Sequence, residues 1–109
     1  MGRVSVTLKD FEEWLLNKHL AEFKSEIYIK EFISSGFPFL VLSGSKYLKI
    51  FIIELIFPEL KSVNLYLAWN ILSSCILKLM VTEDHLEIEY DKSRSKRFLG
   101  KSSAVMYRY

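Results

Sequence analysis

Four polar residues with chemistry to offer alternate along one short stretch: His85, Glu87, Glu89 and Asp91. Alternate residues of an extended strand share a face, so this spacing sets an imidazole and three carboxylates side by side. Such a set suits a divalent cation and, through it, hydrolysis of a phosphodiester by a small metal-dependent nuclease using His85, Glu87 and Glu89. A metal centre usually draws a ligand from a second element, and the sequence identifies none. With Leu86, Ile88 and Tyr90 interleaved, the same alternation describes a strand half in water. No metal ligand and no cofactor is assigned.

Other reactive side chains stand alone. His19 and His85 are candidate general bases, histidine being the side chain suited to that role near neutral pH, yet no serine or cysteine nucleophile pairs with either by spacing. Cys75 falls on an apolar helical pattern, where a thiol behaves as a small hydrophobe. The pairs Glu22-Phe23-Lys24 and Glu59-Leu60-Lys61 have a nuclease-like spacing that is common by chance, and four glycines form no phosphate-cradling loop. No catalytic residue is assigned, and the chain is expected not to be an enzyme.

Charge carries a clearer signal. Residues 1–91 hold nine lysines and arginines against thirteen acids, whereas residues 92–109 hold six cations and no acid. Lys92, Arg94, Lys96, Arg97 and Lys101 lie within ten residues, with Tyr107 and Tyr109 nearby for stacking. Cations at this density bind RNA or DNA phosphates without sequence preference, releasing counterions as they do. The expected organisation is a globular α+β domain over 1–91 and a basic C-terminal segment over 92–109, closing with a short strand at 104–109.

A chain of 109 residues, half of them hydrophobic, has room for one core. Its single cysteine excludes an internal disulfide framework. The segment after Met1 lacks the apolar stretch of a signal peptide, and the longest uncharged run, Ser62 to Leu77, is too short and too polar to span a bilayer. A cytoplasmic location and no membrane partner are expected.

Several elements must position these groups. Thr7 is an N-cap with Asp10 at N3 and a Val6–Phe11 staple, which predicts a helix over 8–23 after a short strand at 3–7. Residues 26–35 fit a strand or a helix, the helix being favoured by Ser25 as cap and Gly36 as stop. The β-formers of 39–42 and 47–57 flank the turn material Ser43-Gly44-Ser45-Lys46, predicting a central β-hairpin. Leu65, Ala68, Trp69, Leu72, Ile76 and Leu79 form one stripe of a helix over 62–79 that is apolar around most of its girth. A strand apolar on both faces needs cover on two sides, so Phe51 and Ile53, with Leu65, Trp69 and Leu72, are candidate interface residues for a homodimer or a partner subunit.

The stretch Leu65-Tyr66-Leu67-Ala68-Trp69-Asn70-Ile71-Leu72-Ser73-Ser74 resembles the last helix of the small Pcc/CTAG-type subunit of the KEOPS tRNA-modification complex. Ser43-Gly44-Ser45-Lys46-Tyr47-Leu48-Lys49-Ile50 resembles that family's turn and following strand. Tyr66 stands where the family usually has a basic residue, and 80–109 has no counterpart. The resemblance implies a non-catalytic dimerisation subunit that helps a kinase-like partner handle tRNA, its last helix facing that partner.

The leading expectation is a non-catalytic interaction or dimerisation subunit of a nucleic-acid-handling assembly. The alternative is a stand-alone nucleic-acid-binding regulator of winged-helix type, with helices at 8–23 and 26–35 and a wing at 39–57. Its would-be recognition helix carries only Lys30 as a cation.

Overall fold

The computed structural model describes residues 1–96. It begins with strand β1 (Gly2–Thr7), and Thr7 turns the chain into helix α1 (Leu8–Lys18). The capping box is complete: the Thr7 hydroxyl accepts from the Asp10 amide at 3.1 Å, and the Asp10 carboxylate accepts from the Thr7 amide at 2.9 Å. Val6 and Phe11, the staple pair, are both buried.

The helix expected to run to residue 23 breaks at His19, and a single turn, α2 (Leu20–Phe23), follows. His19 leaves helical geometry at φ −129°, which lays its ring against Trp14 (centroids 4.5 Å) and Tyr47 (5.3 Å). Helix α3 (Glu26–Ile33) resolves the ambiguous segment as helix, burying Ile29 and Ile33.

The central β-hairpin does not exist. Residues Gly36–Leu42 form helix α4 and Lys46–Ile56 form helix α5. The turn chemistry between them is as expected, but it joins two helices. Gly44 takes φ +66° just past the end of α4, and the Ser45 hydroxyl accepts from the Leu48 amide at the start of α5. A long run apolar on both faces fits a buried strand or a buried helix, and eleven residues exceed an ordinary strand. Packing decides: Leu48, Phe51, Ile52, Ile53 and Ile56 fall on one helical side and are all buried.

After a 3-10 turn at Pro58–Leu60, Asn64 caps helix α6 (Leu65–Cys75), its Oδ1 accepting from the Tyr66 and Leu67 amides at 2.9 and 3.3 Å. The expected continuation of this helix to residue 79 also fails. At Ile76 the backbone becomes extended and strand β2 (Ile76–Val81) begins, turning at 82–84 into β3 (His85–Tyr90). The antiparallel sheet has the order β1-β3-β2, with Val4 opposite Ile88 and Leu79 opposite Ile88 on its other side. Leu86 and Ile88 of the central strand are buried against the helices.

The hairpin turn is fastened to the body. The Phe37 amide donates to the Glu83 carbonyl at 3.0 Å, and the Leu8 amide to the Asp84 carbonyl at 2.8 Å. The body also continues past Asp91: a 3-10 turn at Lys92–Ser95 packs on α6 and buries Ser95. The architecture is α+β, and no described helix is long and apolar enough to cross a membrane.

Candidate functional site

The outer face of the sheet gathers the residues with the most obvious chemistry and commits them elsewhere. Arg3, opposite Glu89 in the register, pairs with both Glu89 and Glu87, the latter at 3.3 Å from its Nε. The guanidinium hydrogen bond and charge hold the Glu89 carboxyl below its ordinary range. His85 shares a 2.9 Å hydrogen bond with the Ser5 hydroxyl. Asp91 accepts from the Ser93 hydroxyl and amide at 2.7 and 3.0 Å, which lowers its pKa in turn. Among the described residues, no three potential ligands cluster around a metal-sized space.

The five candidate interface residues separate. Phe51, Ile53 and Leu72 are 5%, 4% and 0% exposed, so they belong to the protein's own core and correct the expectation of an interface role. Their spacing signalled burial, which sequence alone does not divide between a core and a partner. Leu65 and Trp69 remain half-buried and line two different depressions of the surface. Trp69 borders a shallow apolar groove with Leu48, Ile52 and Leu79, and the Lys49 ammonium lies 5.6 Å from its ring centroid.

That groove runs to a surface absent from the expected interface. Strand β2 stands at the edge of the sheet, paired with β3 alone among the described residues. Leu77, Lys78, Leu79 and Met80 are exposed in succession, the three apolar ones by 41%, 43% and 47%. The other edge strand, β1, is different: it alternates between buried or half-buried and exposed residues, with Arg3 and Ser5 outward. An edge rich in apolar side chains, with no proline and one lysine, is a template for pairing with another strand. The signal was present in the sequence as Ile-Leu-Lys-Leu-Met-Val before a Thr-Glu-Asp turn, but the apolar stripe of α6 ran into it without a break.

The cations of the basic segment also divide. Lys92 is tied to the body, its ammonium 3.2 Å from Glu59 and 4.7 Å from the centroid of Phe57. Arg94 and Lys96 are exposed. Arg97 and Lys101, like the closing strand expected at 104–109, lie outside the described residues.

No family model, curated protein or solved structure matches this chain. The segment 43–50, set beside a turn and strand by its resemblance, forms the turn between α4 and α5 and the first residues of α5. The wing expected at 39–57 is likewise helical. A helix does precede the β2–β3 hairpin, but the hairpin turn carries Glu83 and Asp84 and is bonded down onto α4 and α1, a poor geometry for reaching along DNA.

Proposed function

We propose that the chain is a non-catalytic, self-associating interaction subunit of an assembly that handles nucleic acid. The observation that carries this reading is the exposed apolar edge of β2. A second copy related by a two-fold axis through Leu79 would extend the sheet across β2, with Lys78 opposite Met80 of the other copy and Leu77 opposite Val81. No like charges face each other, and Lys78 already lies opposite Glu89 of its own chain. Burying the exposed remainder of Leu77, Leu79 or Met80 contributes roughly 1 kcal/mol each. Arg94 and Lys96 supply phosphate contacts at the start of the basic segment.

Sedimentation velocity of the whole chain tests the first half. A dimer that becomes monomeric on Leu79→Lys, with the far-UV spectrum unchanged, supports it; a monomer at all accessible concentrations defeats it. The second half requires RNA or DNA binding that weakens on truncation after Lys96 and again on Arg94→Gln with Lys96→Gln. Truncation at Asp91 is unsuitable, because it removes the turn that covers α6 and buries Ser95.

A further inference from the structure

A cleft lies away from the sheet, between the end of α1, the middle of α5 and the stretch leading into α6. It holds about 400 Å³, within the range of small-ligand sites. Its walls are Ile50, Ile53, Leu60, Val63, Leu65 and Ala68, an entirely apolar set. The polar residues of the lining are Lys18, His19, Glu54 and Lys61.

Two carboxylates face these groups: Glu22 meets His19 at 2.8 Å, and Glu54 meets both lysines. Glu54 Oε2 accepts the Trp14 indole N–H at 2.6 Å. Its Oε1 is shared by two ammonium groups, Lys18 at 3.6 Å and Lys61 at 3.4 Å, both longer than a good charge-assisted hydrogen bond. One carboxylate thus serves two cations, and each ammonium has three N–H donors to place. Both lysine side chains are more than half exposed, free to move towards an incoming group.

We propose that this cleft binds a fatty carboxylate of medium chain length, its headgroup bridging Lys18 and Lys61 and its hydrocarbon tail lying along Ile50, Ile53 and Val63. Two ammonium groups beside a carboxylate that they already share suit a monoanion better than a dianionic phosphate ester. The apolar walls supply the affinity, and the two lysines supply the orientation.

The test uses the whole chain and dodecanoate below its micellar concentration, followed by calorimetry and by methyl NMR. Saturable one-site binding is expected, with shifts at Ile50, Ile53 and Val63. Lys18→Gln with Lys61→Gln should weaken it at least tenfold, and dodecan-1-ol should bind at least tenfold more weakly than dodecanoate and ignore the lysine changes. Val63→Trp, which fills the cleft from a half-buried position, should abolish binding; Leu65→Trp serves if that variant does not fold. The proposal is overturned by absence of saturable binding, by equal affinity for the alcohol, by binding that survives the filled cleft, or by shifts at Leu79 and Trp69 instead. Because the cleft and the β2 edge share no residue, failure here leaves the self-association result untouched.

Discussion

The indole of Trp14 and the carboxylate of Glu54, forty residues apart in the chain, meet in a 2.6 Å hydrogen bond that joins α1 to α5. The bond is partly buried, and Glu54 is only 17% exposed. Removing the acceptor strands the indole N–H, which costs about 1–3 kcal/mol. Glu54→Leu should therefore lower the urea midpoint markedly. Glu54→Gln keeps an acceptor oxygen and loses only two loose surface ion pairs, so its cost should stay below about 1 kcal/mol.

Two glycines with positive φ should respond differently to alanine. At Gly36, φ is +77° and an added Cβ would lie 2.6 Å from the Glu83 carbonyl oxygen. Strain and collision act together there, and Gly36→Ala should cost at least ~2 kcal/mol while loosening the hairpin turn. At Gly44, φ is +66° but the nearest atom is the mobile Lys49 ammonium at 4.0 Å. Gly44→Ala should cost only the backbone penalty of about 1–2 kcal/mol. Thermal melts of both variants make the comparison.

Acid should weaken the fold at the start of α1 and across the β1–β3 pair. The Asp10 carboxyl is held below its ordinary value of 3.8, mainly by the Thr7 amide and then its hydroxyl, and Glu89 below 4.5 by Arg3. A lowered folded-state pKa means that the stabilisation is complete above the unfolded-state value and disappears as pH falls through the folded one. The melting temperature should thus be insensitive to these two groups near neutrality and fall below about pH 4.5. Asp10→Asn with Glu89→Gln should flatten that decline. Thr7→Ala should cost about 1 kcal/mol at neutral pH by uncapping α1.

Cys75 should be inert in the folded protein. It is fully buried, and its thiol donates to the Ile71 carbonyl at 3.4 Å. Thiolate chemistry needs access that this position denies. Reaction with Ellman's reagent should proceed only at the rate of unfolding and become immediate in denaturant. Prompt labelling under native conditions would contradict the packing of α6 against α5 and the Lys92–Ser95 turn.

Local signals were legible where one residue type at one spacing has a single good use. The Thr7–Asp10 box fixed the start of α1, and the alternation of Leu86, Ile88 and Tyr90 with acids marked β3. The segment 39–57 was misread because its β-branched and aromatic residues favour strands locally, while the helical stripe from Leu48 to Ile56 is seen only once a core exists to receive it. The exposed edge of β2 was hidden for the same reason: Ile76 and Leu79 continue the period of α6 across the point where pairing with β3 takes over. The cationic residues were visible by type, but the capture of Lys92 by Glu59 and Phe57 depends on contacts 33 and more residues distant.

The pairing of β1 with β3 also sets an order of events during synthesis. Gly2 sits opposite Tyr90 and Thr7 opposite His85, so β1 leaves the ribosome well before the strand that it pairs with. The helices between them can meet their neighbours earlier, but the central strand is missing until residue 90 has cleared the exit tunnel. Through that interval the inner face of β1, Val4 and Val6, has no strand beside it, and a ribosome stalled before residue 85 carries a helical intermediate with an unclosed apolar side. Until β3 arrives, that side stays open to chaperones and to other nascent copies.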